Sequence, residues 1–435
     1  MLKVILKPHR SHLKASTADV QKLFVMVKLI PNAEIAVARP PLAVALVIDT
    51  SGSMRGGAPL DKLEQAIAAA HLLIDDARFS PQDQVAVIRF DDDAQTMLPL
   101  TPFAQKQAAH AAVDSLRKFS GGTQMAKGMS LAQVEMARLP AAVAKRVVVL
   151  TDGRTADEEL CRSLAENFRS TNTPLVTIGI DAEYNEELLR DLAGASQGRP
   201  YHLQNMVQLK EILNSEVASS VKEVVTDLQA TFSLVKGVQL DSVTRVYPSL
   251  AEVGLSGQSL RLGNIVSGDY TVFVLELTIS NFERPASRAR IAQIGLSGHV
   301  PGLNRRDELP PQDLFVTFTP DESATLTVED EVLGYVQQKN VDRMVQEAVR
   351  VANTDAGQAR NTLQAAVGMT QRMGNTAVSQ MLETAIDELN RTGTISPGTS
   401  KTVALNGRTR TMKTGTMESM ENIPSEEEIR RLTGA

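Results

Sequence analysis

Residues 43–48 are aliphatic without interruption, and the strand they form must stop at Asp49-Thr50-Ser51-Gly52-Ser53. A run with no polar face suits a strand covered on both sides, as in the interior of a parallel sheet. Pro40-Pro41 before it and a Ser/Gly turn after it set its ends. The carboxyl end of such a strand opens into the crevice where α/β sheets hold ligands. There the chain offers Asp49, Ser51 and Ser53 at alternate positions, a carboxylate and two hydroxyls on one turn. Hard oxygen donors with few charges suit Mg²⁺ or Mn²⁺. Two more segments carry the same chemistry. Phe119-Ser120-Gly121-Gly122-Thr123 is a glycine-hinged loop that offers a hydroxyl before a helix, and Arg146 to Leu150 is a second buried strand ending in Thr151-Asp152-Gly153.

Asp49-x-Ser51-x-Ser53, Thr123 in a Gly-Gly-Thr loop and Asp152 in Thr-Asp-Gly, in that order, resemble the metal-ion-dependent adhesion site of von Willebrand factor A (VWA) domains, over roughly residues 40 to 215. No ligand position departs from that pattern. Serines and aspartates after strands often cap helices, which accounts for each residue singly but not for the ordered set. The resemblance, closest to bacterial intracellular members, implies Mg²⁺, with Mn²⁺ or Ca²⁺ as substitutes. It also implies binding rather than catalysis: Ser51, Ser53 and Thr123 offer hydroxyls, while Asp49 and Asp152 act directly or through water. An ion that keeps exchangeable water attracts an Asp or Glu carboxylate from a protein partner. The loops Met54 to Leu60, Gln124 to Lys127 and Arg154 to Asp157 would set specificity, with Arg154 a candidate second contact. No Ser-His-Asp or Cys-His set can be assembled, so no enzyme is expected. The chain also has no Gly-x-x-x-x-Gly-Lys-Ser/Thr phosphate loop.

Other constellations carry less. Asp91-Asp92-Asp93 reads as a solvated turn, since Thr96 and Pro102 stand where a helix-loop-helix calcium site needs its glycine and glutamate. His9 and His12 have no further Cys or His nearby to make a zinc site. The 45 Lys and Arg against 51 Asp and Glu give a net charge of −6, which offers no general attraction to nucleic acid or an anionic membrane. A single cysteine, Cys161, makes no internal disulfide and points to a reducing cytoplasm, with the thiol packed in a helix. The N-terminus lacks a secretory apolar stretch, and no run approaches the about 18 apolar residues of a membrane span.

The 435 residues suit several domains. Residues 1–38 alternate as strands, and residues 216–326 are again strand-rich, with Gly and Ser turns between runs. We expect the two stretches to complete one β-sandwich, because either alone would expose unpaired edges. Residues 39–215, where strands alternate with helices, are then a doubly wound parallel sheet inserted into that sandwich. From 327 to 391 apolar residues recur at helical spacing, including Val332, Val336, Val341 and Val345, with capping pairs at Thr354-Asp355 and Asn375-Thr376. A small three-helix bundle follows, with Met344, Met369, Met373 and Met381 filling its core.

Residues 392–435 are poor in aliphatics and rich in Thr and Ser, and read as a disordered tail. Thr402, Thr409, Thr411, Thr414 and Thr416 lie among Lys and Arg and are candidate phosphosites, with Ile429 to Leu432 as a short docking helix. Bacterial proteins of the kind resembled sit in signalling sets with Ser/Thr kinases and phosphothreonine-reading modules, which would make those two the tail's partners. The expected function is a Mg²⁺-dependent interaction module or signalling scaffold. Two other classes fit the same residues: an adaptor of a chelatase-like or AAA+ ATPase complex, and a surface adhesin. The second is disfavoured by the missing leader and disulfides.

Overall fold

The computed structural model describes residues 2–17, 19–32, 35, 39–56, 61–181, 183–203, 207–280, 285–409 and 411–414. Alternation near the N-terminus produces β1 (Leu2–Pro8), β2 (His12–Lys14) and β3 (Gln21–Pro31). The uninterrupted aliphatic run becomes β4 (Leu42–Asp49), followed by α1 (Lys62–Ile74), β5 (Gln84–Phe90), β6 (Ala94–Pro102), α2 (Lys106–Ser115) and α3 (Met125–Ala137). β7 (Ala144–Thr151), α4 (Glu158–Ser170), β8 (Leu175–Ile180), α5 (Glu186–Ala195), β9 (Arg199–Leu203) and α6 (Val207–Ser220) complete this part.

The strands from β4 to β9 make one six-stranded sheet in the order β6-β5-β4-β7-β8-β9. β4 sits inside it, parallel to β5 and β7, which explains why all eight of its residues are buried. Its even-numbered side chains Leu42, Val44, Leu46 and Ile48 face α1, α2 and α6. Its odd-numbered Ala43, Ala45 and Val47 face α3, α4 and α5. The small side chains on the odd face let a helix come close. A Cβ added at Gly128 of α3 would stand 3.0 Å from Val47 and 3.1 Å from Phe90. The sheet is mixed rather than all-parallel, because β6 returns antiparallel along β5 as an edge strand. α2 begins only at Lys106, because Pro102 ends β6 and Phe103–Gln105 form a 3₁₀ turn.

Beyond α6 come β10 (Glu223–Leu234), β11 (Val238–Tyr247), β12 (Ala251–Val253), β13 (Leu260–Val266), β14 (Thr271–Ile279), β15 (Ser287–Val300) and β16 (Arg305–Thr319). They form two five-stranded sheets, β1-β3-β14-β11-β12 and β13-β10-β15-β16-β2, so the N-terminal strands enter both. Leu23, Val25, Val27 and Leu29 of β3 share one apolar cluster with Phe273, Leu275 and Leu277 of their own sheet and with Leu228, Ile291, Ile294, Val316 and Phe318 of the other. The opposite face of β3 is covered too. Met26 packs with Val272 and Val274 against Val332, Tyr335 and Val336.

Those last three residues belong to the helical part: α7 (Glu322–Thr325), α8 (Asp330–Val351), α9 (Ala356–Met373) and α10 (Thr376–Thr392). Asp355 caps α9 by accepting from the Gln358 amide, and Asn375 caps α10 by accepting from the Val378 amide. Met344, Met369, Met373 and Met381 pack, partly buried, against the bundle core.

The chain does not become disordered at residue 392. It turns into α11 (Pro397–Lys401), a π-helical turn over Thr402–Asn406 and α12 (Gly407–Thr409), and 411–414 are described beyond it. Val403 inserts into the bundle core, whereas Leu405, two residues on, is buried in the α/β domain with Val47, Met129, Phe168 and Leu188. The expectation of a free tail is therefore corrected for 393–409 and 411–414. Composition missed it because a strap that touches separate cores needs only one good side chain per contact. Thr416 and the docking helix expected at Ile429 to Leu432 lie outside the described residues. Among the described residues no helix is long and apolar enough to cross a membrane.

Candidate metal centre

Every predicted ligand lies at the carboxyl end of the central strands. Asp49 is the last residue of β4, and its carboxylate folds back onto the turn that follows, accepting from the Ser51 amide at 2.8 Å. Its other oxygen accepts from the Thr151 hydroxyl at 2.6 Å. The Ser51 and Ser53 hydroxyls are 3.0 Å apart, and Ser53 donates to Asp152 at 2.6 Å. Asp49, Ser51, Ser53 and Asp152 are thus one connected oxygen set spanning the ends of β4 and β7. Thr123 closes it: a methyl placed on Gly153 would lie 3.6 Å from the Thr123 hydroxyl and 3.7 Å from that of Ser53, so both flank the same gap.

The Thr123 loop is positioned by its glycines. A Cβ at Gly121 would stand 3.2 Å from the Cβ of buried Asp91, and one at Gly122 would have to push the exposed Asp92 carboxylate aside, so the two glycines let the loop run close along the 91–92 turn. Two backbone bonds fix the loop there, from Gln124 to the Asp91 carbonyl at 2.8 Å and from Gly52 to the Gly121 carbonyl at 2.9 Å. Asp91 is therefore not part of a solvated turn. It is buried, pairs with Arg89 at 2.7 Å and accepts from the Thr50 hydroxyl at 3.1 Å. That buried pair braces the turn after β4 from behind.

Asp49 and Asp152 are almost fully buried, at 0% and 1% exposure. A carboxylate in that setting is costly unless it is compensated. Burial pushes the Asp49 carboxyl up to about 6, against the hydrogen bonds from Ser51 and Thr151, which favour the charged form. Asp152 is compensated by a residue the sequence reading missed: Lys62, the first residue of α1, donates to it at 2.8 Å and pairs with Asp181 at 2.6 Å. Burial alone would depress the Lys62 ammonium, but the two carboxylates outweigh it and hold its pKa above the usual value. Nothing near Lys62 in sequence marks it. Thr151 was more findable, being next to Asp152 at the end of a buried strand.

The donor chemistry fits a hard divalent ion: two carboxylates and three hydroxyls, all oxygen, at one end of a sheet. Among the described residues no group of three or more His, Cys, Asp and Glu side chains could hold a metal ion, which leaves this hydroxyl-rich set as the candidate.

The other predicted residues do not join it. Arg154 is exposed beside the site. Thr411 is 3% exposed; the Thr402 and Thr414 hydroxyls donate to the Gly398 and Glu331 carbonyls; Thr409 lies, half-buried, in α12. A kinase could reach Thr411 only after the strap lifts. Cys161 is buried, and burial pushes its thiol well above the ordinary range.

Comparison with known proteins bears on the fold. The family described as von Willebrand factor type A domain matches residues 43–215, and the Sll0103-like C-terminal alpha-helical domain matches 330–413. The latter match includes the strap. The chain is 23% identical over 270 residues to uncharacterized protein YfbK of Escherichia coli, covering 58% of this chain and 44% of that one. It is 27% identical over 253 residues to uncharacterized protein sll0103 of Synechocystis, covering 55% and 57%. The chain thus spans about half the length of these curated relatives. Among solved structures, a von Willebrand factor type A protein from Catenulispora acidiphila superposes with TM-score 0.79 at 18% identity over 95% of this chain and 98% of its own. The ArnB paralog VWA2 from Sulfolobus acidocaldarius gives 0.60 at 16% identity, over 95% and 100%. Residues 43–215 are a von Willebrand factor type A domain, and a C-terminal helical domain of the Sll0103-like kind follows in the same chain.

Proposed function

We propose that this protein is a non-enzymatic, Mg²⁺-dependent protein-interaction module of the cytoplasm. The observation that carries the reading is the connected oxygen set Asp49-Ser51-Ser53-Asp152, with Thr123 facing the same gap. When bound there, Mg²⁺ supplies a Lewis-acidic attachment point for an Asp or Glu carboxylate of a partner. The chain's own part is to hold five oxygens in place. β4 and β7 fix the two aspartates, the Arg89–Asp91 pair fixes the turn, and exposed Arg154 stands ready as a second contact for an anionic partner.

Two subsidiary readings belong with this one. The two five-stranded sheets act as a β-sandwich interrupted in sequence by the VWA domain, supported by their shared core. The lone buried cysteine supports a reducing compartment.

Calorimetric titration of the full chain with MgCl₂ tests the site. Wild type should bind one equivalent saturably, and Asp49→Ala should bind none while unfolding at an unchanged denaturant midpoint. Absence of saturable heat both in the wild type and in Lys62→Met, which removes the ammonium from Asp152, would overturn the reading. Pull-downs with and without chelator then report whether the metal carries the partner contact.

A further inference from the structure

Asp152 has both carboxylate oxygens committed. One accepts from the Ser53 hydroxyl at 2.6 Å, the other from the Lys62 ammonium at 2.8 Å. The Lys62 side chain is 18% exposed, and its ammonium is shared with Asp181 at 2.6 Å, whose side chain is 45% exposed. Asp181 follows directly on β8, with its amide bonded to the Leu203 carbonyl at 3.0 Å. Its φ of +58° is a left-handed geometry. Lys62 therefore bridges a fully buried carboxylate inside the oxygen set and an open one at its rim.

That arrangement has a consequence for any cation entering the set. Buried carboxylates need a positive partner, and Lys62 already provides it for Asp152. A divalent ion brought onto the same carboxylate would meet a like charge a few ångströms away, in surroundings where such repulsion is poorly screened. The ammonium need not travel far to relieve it, because Asp181 is within hydrogen-bonding distance and faces water.

We propose that Lys62 is a resident cation of the metal centre, which a divalent ion must displace from Asp152, and that Asp181 is the carboxylate that receives it. This rests on the metal-binding reading above. The lysine lowers the affinity that the five oxygens alone would give and keeps Asp152 paired when no ion is bound. It also makes occupancy a charge exchange, so the site selects for double over single positive charge: Na⁺ or K⁺ brings no more charge than the ammonium it would have to replace.

Calorimetric titration with MgCl₂ and MnCl₂ at constant ionic strength, on the full chain, tests this with three variants. Lys62→Met should bind at least tenfold more tightly than wild type. Asp181→Asn, which keeps a side chain tolerant of left-handed backbone but removes the receiving charge, should bind at least threefold more weakly. Asp49→Ala should not bind. Equal or weaker binding by Lys62→Met, with Asp49→Ala still abolishing it, overturns the role of Lys62 and leaves the metal site standing. No binding by either wild type or Lys62→Met overturns both; binding by Lys62→Met alone supports the exchange. A second readout follows the amine itself. Acetylation of Lys62 by added acetic anhydride, which releases acetate, quantified by peptide mass spectrometry, should rise several-fold on adding MgCl₂ to wild type at fixed pH and ionic strength, and an unchanged rate overturns the displacement.

Discussion

β3, near the N-terminus, and the segment 397–414, near the C-terminus, converge on one tyrosine: Lys28 lies 4.3 Å and Lys413 4.8 Å from the centre of the Tyr270 ring. They arrive by different means. β3 is zipped between β1 and β14 along most of its length, and both of its faces are buried. Among its described residues the strap has no ladder. Its main chain is held at single points: Leu250 donates to the Arg408 carbonyl at 2.9 Å, Met412 exchanges two hydrogen bonds with the Gln338 side chain, and the Thr414 amide reaches the Tyr335 hydroxyl at 3.3 Å. A strand spreads its stabilisation over many equivalent bonds. A strap concentrates it in a few side chains, so single substitutions should distinguish the two.

The largest effect is expected in the cores that the two segments enter. Leu405→Ala in the strap and Leu23→Ala in β3, both at 0% exposure, should each cost about 2–5 kcal/mol in urea unfolding. Hydrogen exchange should separate them. Loss of Leu405 frees the Met412 and Thr414 amides, whereas loss of Leu23 leaves the β3 ladder protected. Equal protection in both variants would break the comparison.

Lys401→Met comes next. Its ammonium donates to the Tyr184 carbonyl at 2.6 Å and lies 3.8 Å from the centre of the Tyr184 ring, and a hydrogen bond from a charged group contributes about 1.5–3 kcal/mol. The same unfolding measurement checks it.

Acid tests both ends together. Burial lowers His9, which accepts from the Phe24 amide on β3, and His202, beside Tyr184 and Lys401, each to about 4. The unfolded imidazole titrates near 6.5, so between about pH 6.5 and 4 the unfolded chain takes up protons that the folded one refuses. Their contribution is complete above that window and is lost as pH falls through it. At pH 5 the loss is about 1–2 kcal/mol per histidine. Denaturant midpoints across that range should be flatter in His202→Gln and His9→Gln than in wild type.

Lys7→Ala sets the floor. Its pair with Glu329 at 2.8 Å joins side chains that are 38% and 46% exposed, and an exposed pair contributes about 0–1 kcal/mol. A midpoint shift beyond that range would show that the β1 edge depends on point contacts as the strap does.

Most of the VWA domain was legible because its signals are local. β4, α3 and β7 each declare themselves by period and by the turn residues that end them. β6 was hidden: none of its residues is buried, and Pro99 and Pro102 interrupt its pattern. β9 is short and begins beside Pro200. α6 carried a usable signal, since Leu209, Leu213 and Val217 recur every fourth residue and are buried. The three-helix pattern was readable from capping residues and periodicity, but not its continuation through 414, because Lys401, Val403 and Leu405 follow no single apolar face.

The sequence by itself determined the candidate ligand set, the strand ends that carry it and the order of the helices, since each depends on neighbours a few positions apart. Only the tertiary structure decided that Lys62 stands on Asp152, 90 residues away, and that Lys401 reaches Tyr184, 217 residues away. A lysine near the start of a helix or in a polar tail looks the same whether or not a buried carboxylate or carbonyl awaits it. The pairing is created when the sheet brings its strand ends together and leaves those groups without water.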